Sequence, residues 1–247
     1  MRKILALDFD GVIWDSVREC LVVGAEAYRA AGGRLLSQEW AEKHFYAGRP
    51  LCRTGQDFYL LFRLPAENPN LDFARFPYPD FIRAREAYRE EMASFEKLFY
   101  EIRRHWVLDR FEDWANLQAP YSGILREISE ISQIYADIVV VTTKDEHSAS
   151  RLLGRWNLHI PVYGKEFSTN KGEVLKYIQG KCGILPEQIC LVDDLLENLL
   201  PHRDLGVRLA LAGWGYNTVE SREWAKEQGI PVLELGKLRK GLDFFLV

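Results

Sequence analysis

The sequence has no apolar run long enough to span a bilayer, which excludes a helical membrane protein. It has no excess of positive charge either. Lysine and arginine number 32 against 36 aspartates and glutamates, and the formal net charge of -4 gives no electrostatic case for binding nucleic acid or an anionic membrane. Any anion must therefore be held by a local site. Cysteine is sparse. Cys20, Cys52, Cys182 and Cys190 are scattered and form no CxxC pair, so reduced, mostly buried thiols in a cytoplasmic protein are expected. The amino terminus runs straight into a candidate strand, with no room for the charged segment, apolar segment and cleavage site of a secretory leader. His44, His105 and His147 show no metal-ligand spacing. Internal repeats and low-complexity tracts are absent.

What is present is enough for a full core. Hydrophobic residues make up 47% of the 247, which allows one large domain or two smaller ones. The first fifteen residues organise the rest. Lys3 to Leu7 is a short apolar run, and Asp8-Phe9-Asp10-Gly11-Val12 follows at once, as at the end of a buried strand. Successive strand side chains point to opposite faces, so Asp8 and Asp10 share a pocket only if the chain leaves strand geometry near Phe9. Gly11 permits that turn. In open parallel sheets ligands bind outside the carboxyl ends of the strands, which is where these carboxylates fall.

Helical spacing then dominates. Asp15-Ser16 offers an N-cap for a helix over Val17–Ala31, stopped by Gly32-Gly33. Ser37 to Phe45 and Thr54 to Leu64 read as further helices, with a break at Tyr46 to Pro50. Pro65 to Pro79 reads as an irregular connection, and Asp80 to Trp106 as one long charged helix. Nothing from Asp15 to about Asn116 looks like a strand. Beyond it, strands are expected at Asp137–Thr143, Ile160–Tyr163, Gln188–Asp194, Val207–Leu211 and Ile230–Glu234. Helices lie between them, at about 120–135, Glu146–Trp156 and Lys171–Gly180. That alternation calls for right-handed crossovers and a parallel sheet covered on both faces. The fold class is α/β: a Rossmann-like, doubly wound core of residues 1–15 and 116–247, with an inserted all-helical cap at 16–115.

Four polar clusters fall at or just beyond strand ends: Asp8 with Asp10, Thr142-Thr143-Lys144, Lys171, and Asp193-Asp194. Each alone has a plain alternative, as turn residue, strand end, solvated first-turn lysine or helix cap. Together on one sheet edge they place several carboxylates in mutual repulsion unless a cation lies between them. Hard oxygen donors suit Mg²⁺. A lysine and a hydroxyl beside such a metal would hold an oxyanion, most simply a phosphate. Lys144 is the rival of Lys171 for the lysine role.

In this order the clusters resemble the four signature motifs of the haloacid dehalogenase-like hydrolase superfamily. The helical insertion is similar to the cap of its phosphoglycolate phosphatase and phosphoglucomutase-like branch. The resemblance implies a Mg²⁺-dependent phosphatase in which Asp8 is the nucleophile, forming an aspartyl-phosphate, and Asp10 is the general acid and base. It implies that the Thr142 hydroxyl and Lys171 hold the phosphoryl group, with Gly11 and Thr143 alongside. It assigns the metal to Asp8, the backbone carbonyl of Asp10, and Asp194, with Asp193 binding through water. In the cap, Arg49 and Arg53 are candidates for an acidic leaving group, or else a solvated pair flanking a turn. The substrate is expected to be a small phosphorylated metabolite and the protein a monomer or homodimer. A phosphomutase of the same family and a non-catalytic module that retains the fold are the alternatives.

Overall fold

The computed structural model describes residues 2–35 and 37–246. The chain forms two compact units. One comprises the residues up to Asp15 together with those from Ala119, and the other is Ser16–Gln118.

In chain order, strand β1 (Ile4–Leu7) and the two-residue β2 (Trp14–Asp15) precede six helices. These are α1 (Val17–Ala30), α2 (Gln38–Gly48), α3 (Phe58–Glu67), α4 (Tyr78–Ala87), α5 (Arg89–Asp109) and α6 (Phe111–Ala115). Their apolar faces meet in an aromatic core. Phe45 packs on Phe58 and on Phe62 with ring centroids 5.3 Å apart, and Phe58 meets Phe99 edge-on at 5.4 Å. Beneath it lies a buried ion pair. Glu19 on α1, fully enclosed, takes both Nε (2.7 Å) and Nη2 (2.6 Å) of Arg103 on α5.

The other unit holds β3 (Ala119–Pro120), α7 (Ile124–Ile134), β4 (Asp137–Val141), α8 (Glu146–Gly154), β5 (Val162–Tyr163) and α9 (Lys171–Cys182). It continues with β6 (Ile189–Asp193), α10 (Leu196–Leu199), β7 (Arg208–Ala212), α11 (Val219–Glu227), β8 (Val232–Leu233), α12 (Leu238–Gly241) and α13 (Asp243–Leu246). Six strands make one parallel sheet in the order β5-β4-β1-β6-β7-β8. The central β1 is buried at every position, as a strand covered on both faces requires.

Three local expectations need correction. Asp80–Trp106 is not one helix: the chain breaks at Tyr88 (φ -111°, ψ 24°), whose hydroxyl donates to Glu67 at 2.6 Å. Helix α3 runs through Pro65 to Glu67, and Phe73–Arg75 forms a 3₁₀ turn, so the proline-rich stretch is partly ordered helix. β2 was not foreseen. It pairs antiparallel with β3, Trp14 opposite Pro120 and Asp15 opposite Ala119, and two residues carry no periodicity to read.

Candidate active site

Strand register dictates what meets at the carboxyl edge of the sheet. Leu7 of β1 lies opposite Val192 of β6 and Val140 of β4. The next residue, Asp8, therefore falls beside Asp193, and Thr142 follows the end of β4. The last pair between β6 and β7 is Asp193 with Leu211, so Asp194 is the first residue past the ladder. One carboxylate oxygen each from Asp8, Asp193 and Asp194 lie within 4.8 Å of one another, and all three residues are buried.

Lys171, the first residue of α9, is buried against this group. Its Nζ is 3.0 Å from Asp8 Oδ1 and 2.5 Å from Asp193 Oδ2. Asn170 caps the helix by accepting from the Gly172 amide at 2.9 Å. Burial alone would lower the Lys171 pKa, but Asp193 and Asp8 outweigh it and the ammonium is held well above its ordinary value. Asp8 goes the other way. Burial pushes its carboxyl up to about 6, Lys171 pulls against that rise, and the neighbouring Asp193 adds to it. The second oxygen of Asp193 accepts from the Leu195 amide (2.9 Å) and from Asn198 Nδ2 (3.1 Å), so this side chain is occupied on both sides by protein donors.

The chain leaves β1 by a tight reversal. Phe9 carbonyl oxygen accepts from the amides of Ile13 and Trp14 at 2.9 Å, and the Gly11 amide donates to Trp14 carbonyl oxygen at 2.8 Å. The Phe9 amide turns inward onto Asp8 Oδ1 at 2.8 Å. Gly11 has φ +84°, and a Cβ built there would fall 2.2 Å from Asp194 Oδ2, so a side chain is excluded twice over. Asp10 comes out of this reversal partly exposed. Lys144 Nζ lies 3.3 Å from both of its oxygens. The two lysines thus do not compete for one place: Lys171 serves Asp8 and Asp193, and Lys144 serves Asp10. Thr142 is buried and its Oγ1 accepts from the Lys144 amide at 3.2 Å, whereas Thr143 is exposed.

The loop after β7 reaches back to the end of β6 and to the reversal after β1. The Tyr216 amide donates to Asp194 Oδ2 at 2.7 Å. Asn217 Nδ2 donates to Asp194 carbonyl oxygen at 3.0 Å and to Ala212 carbonyl oxygen at 2.9 Å. Trp214 Nε1 donates to Val12 carbonyl oxygen at 3.0 Å, and the Tyr216 hydroxyl meets Asp15 Oδ1 at 3.1 Å. Arg49 and Arg53 belong to the helical unit. There Arg53 Nη1 donates to Pro50 carbonyl oxygen at 2.8 Å and its guanidinium lies over the Tyr78 ring, while that of Arg49 lies over Phe58.

The donor set fits a hard divalent cation. Three buried carboxylate oxygens, from Asp8, Asp193 and Asp194, converge beside Lys171, and oxygen donors of this kind suit a hard divalent cation. No family model matches the sequence, and no curated protein matches it. Solved structures do match in shape. A predicted phosphatase from Clostridium acetobutylicum aligns with TM-score 0.65 at 14% identity, covering 98% of both chains. A predicted phosphoglycolate phosphatase from Haemophilus somnus 129pt aligns with TM-score 0.65 at 14% identity, covering 97% of both. A haloacid dehalogenase-like family hydrolase from Streptococcus pneumoniae aligns with TM-score 0.62 at 14% identity, covering 98% of both. An α/β core with six parallel strands, a helical insertion after the first strand, and near-complete coverage of these structures give the chain the fold of the haloacid dehalogenase-like hydrolases.

Proposed function

We propose that the protein is a phosphatase that hydrolyses a small phosphorylated metabolite through an aspartyl-phosphate on Asp8. The observation that carries this reading is the convergence of Asp8, Lys171, Asp193 and Asp194 at one buried sheet edge, with Asp10 alongside. The phosphatase names of similarly folded structures support it.

Asp8 needs no base to attack when ionised, and its rotation is fixed because the Phe9 amide and Lys171 both hold Oδ1. A carboxylate oxygen of Asp8 bonds to phosphorus as the bond to the leaving oxygen breaks. Asp10 gives that oxygen its proton, then takes one from the water that attacks the same phosphorus and releases Asp8. Lys171 and the Thr142 hydroxyl bind the equatorial phosphoryl oxygens, where charge accumulates. Asp8, Asp194 and the Asp10 carbonyl would hold Mg²⁺, which when bound neutralises charge between carboxylate and phosphate. Asp193, already engaged by Lys171, Leu195 and Asn198, serves to orient the lysine.

The test is turnover of a panel of phosphoesters with MgCl₂ and with EDTA, for the wild type and for Asp8→Asn. Turnover is expected only with Mg²⁺, and the variant is expected to lose at least about a thousandfold in kcat, because the nucleophile itself is removed. Unchanged turnover in the variant, or turnover in EDTA, would remove the reading.

A further inference from the structure

Asp194 is held by a loop that no motif in the sequence marks. We propose that Asn217 is the positioning residue that sets Asp194 for a divalent cation, with Arg222 as its outer support. The proposal rests on the metal-dependent reading above.

The argument starts where the sheet ends. β6 and β7 stay in register to Asp193 opposite Leu211. One residue further, the Asp194 carbonyl oxygen lies beyond the β6–β7 ladder, and the Ala212 carbonyl oxygen accepts from the Gly215 amide at 3.1 Å. Asn217, itself buried, crosses the gap: its Nδ2 donates to Asp194 at 3.0 Å and to Ala212 at 2.9 Å. Both N–H bonds of the amide are thus used. Its Oδ1 accepts from Arg222 Nη1 at 2.9 Å, which fixes the amide's orientation, and the same nitrogen reaches Asn217 carbonyl oxygen at 3.2 Å. The same loop reaches Asp194 twice more. Tyr216 amide donates to Oδ2, and Gly215 passes so close that a Cβ there would fall 2.3 Å from Asp194 Cβ.

Backbone, Cβ and one carboxylate oxygen of Asp194 are therefore fixed from one short loop. Groups that orient a metal ligand without touching the metal change affinity by about 10–100-fold when removed. A residue that merely packs changes the melting temperature and leaves that affinity alone.

The experiment is calorimetric titration of the full chain with MgCl₂, paired with the Mg²⁺ dependence of para-nitrophenyl phosphate turnover. Asn217→Ala is expected to raise the Mg²⁺ half-saturation about tenfold, while KM for the phosphoester at saturating Mg²⁺ stays at the wild-type value. Arg222→Met, which removes the donor to Asn217 Oδ1 and leaves Asn217 in place, keeps the test usable if the first variant folds poorly. It is expected to shift half-saturation in the same direction by about two- to fivefold. Wild-type Mg²⁺ affinity in both variants, with or without a lowered melting temperature, overturns the proposal alone. A wild-type chain that binds no Mg²⁺ overturns the proposal and the reading beneath it.

Discussion

Gly215 shows how narrowly single residues define this site. An added methyl group would meet Asp194 Cβ at 2.3 Å and Gly11 carbonyl oxygen at 2.4 Å, and neither neighbour is the free end of a flexible chain. Relief requires backbone movement, with a cost of about 1–3 kcal/mol. Gly215→Ala is therefore expected to lower the melting temperature and to weaken stabilisation by added MgCl₂. A melt with normal Mg²⁺ stabilisation would show that Asp194 tolerates the displacement. The clustering of Asp8, Asp10, Lys171, Asp193 and Asp194 was legible in the sequence because acids and lysines beside buried strands are costly without a partner. Gly215 and Asn217 were not legible. Glycine and asparagine after a strand read as a turn, and their meaning comes from Asp194, 23 positions before Asn217.

At the scale of elements, α1 and α5 are tied by the enclosed Glu19–Arg103 pair. Trp114 Nε1 also donates to Glu19 Oε1 at 2.9 Å. The pair holds the Arg103 guanidinium well above its ordinary pKa: burial acts to lower it and Glu19 outweighs burial. Removing one partner strands a buried charge, so Arg103→Met is expected to cost about 3–5 kcal/mol in urea denaturation. The Glu19→Met/Arg103→Met double variant, with no stranded charge, is expected to recover much of that loss. Equal stability of the single variant and wild type would show the pair to be neutral. This tie could not be read in sequence, where α5 presented only as a charged face. The parallel strands were readable because β-branched, fully apolar runs such as Ile138–Val141 have few other uses.

Across the molecule, each unit holds a histidine whose titration works against folding in acid. Burial lowers the pKa of His44, Lys43 adds to the fall, and Asp72 partly opposes it; the rings of Trp40 and Phe73 pack beside it. His202 is lowered by burial and then by Lys171, against Asp193. The unfolded chain, with histidines near about 6.5, takes up protons before the folded one. Stability is therefore lost progressively as pH falls below about 6.5. Asp8, raised to about 6, has the opposite sign, because its folded form binds the proton first. The readout is thus a difference: His44→Gln is expected to lose less stability than wild type between about pH 7.5 and pH 5.5 in urea denaturation. Superimposable profiles would show that His44 does not contribute.

The α/β core was legible at this scale from the order of its strands. The β2–β3 ribbon was invisible, since it exists only through the pairing of residues on either side of the insertion. That ribbon has a consequence for how such a chain can be built or rebuilt. Asp15 and Ala119 stand opposite each other as hairpin neighbours, so a tight reverse turn of a few residues could replace everything between them without stretching the sheet. The helical segment is a guest spliced into a surface turn, and a lineage carrying this core could gain, lose or trade that guest while the carboxyl edge of its sheet stayed in register.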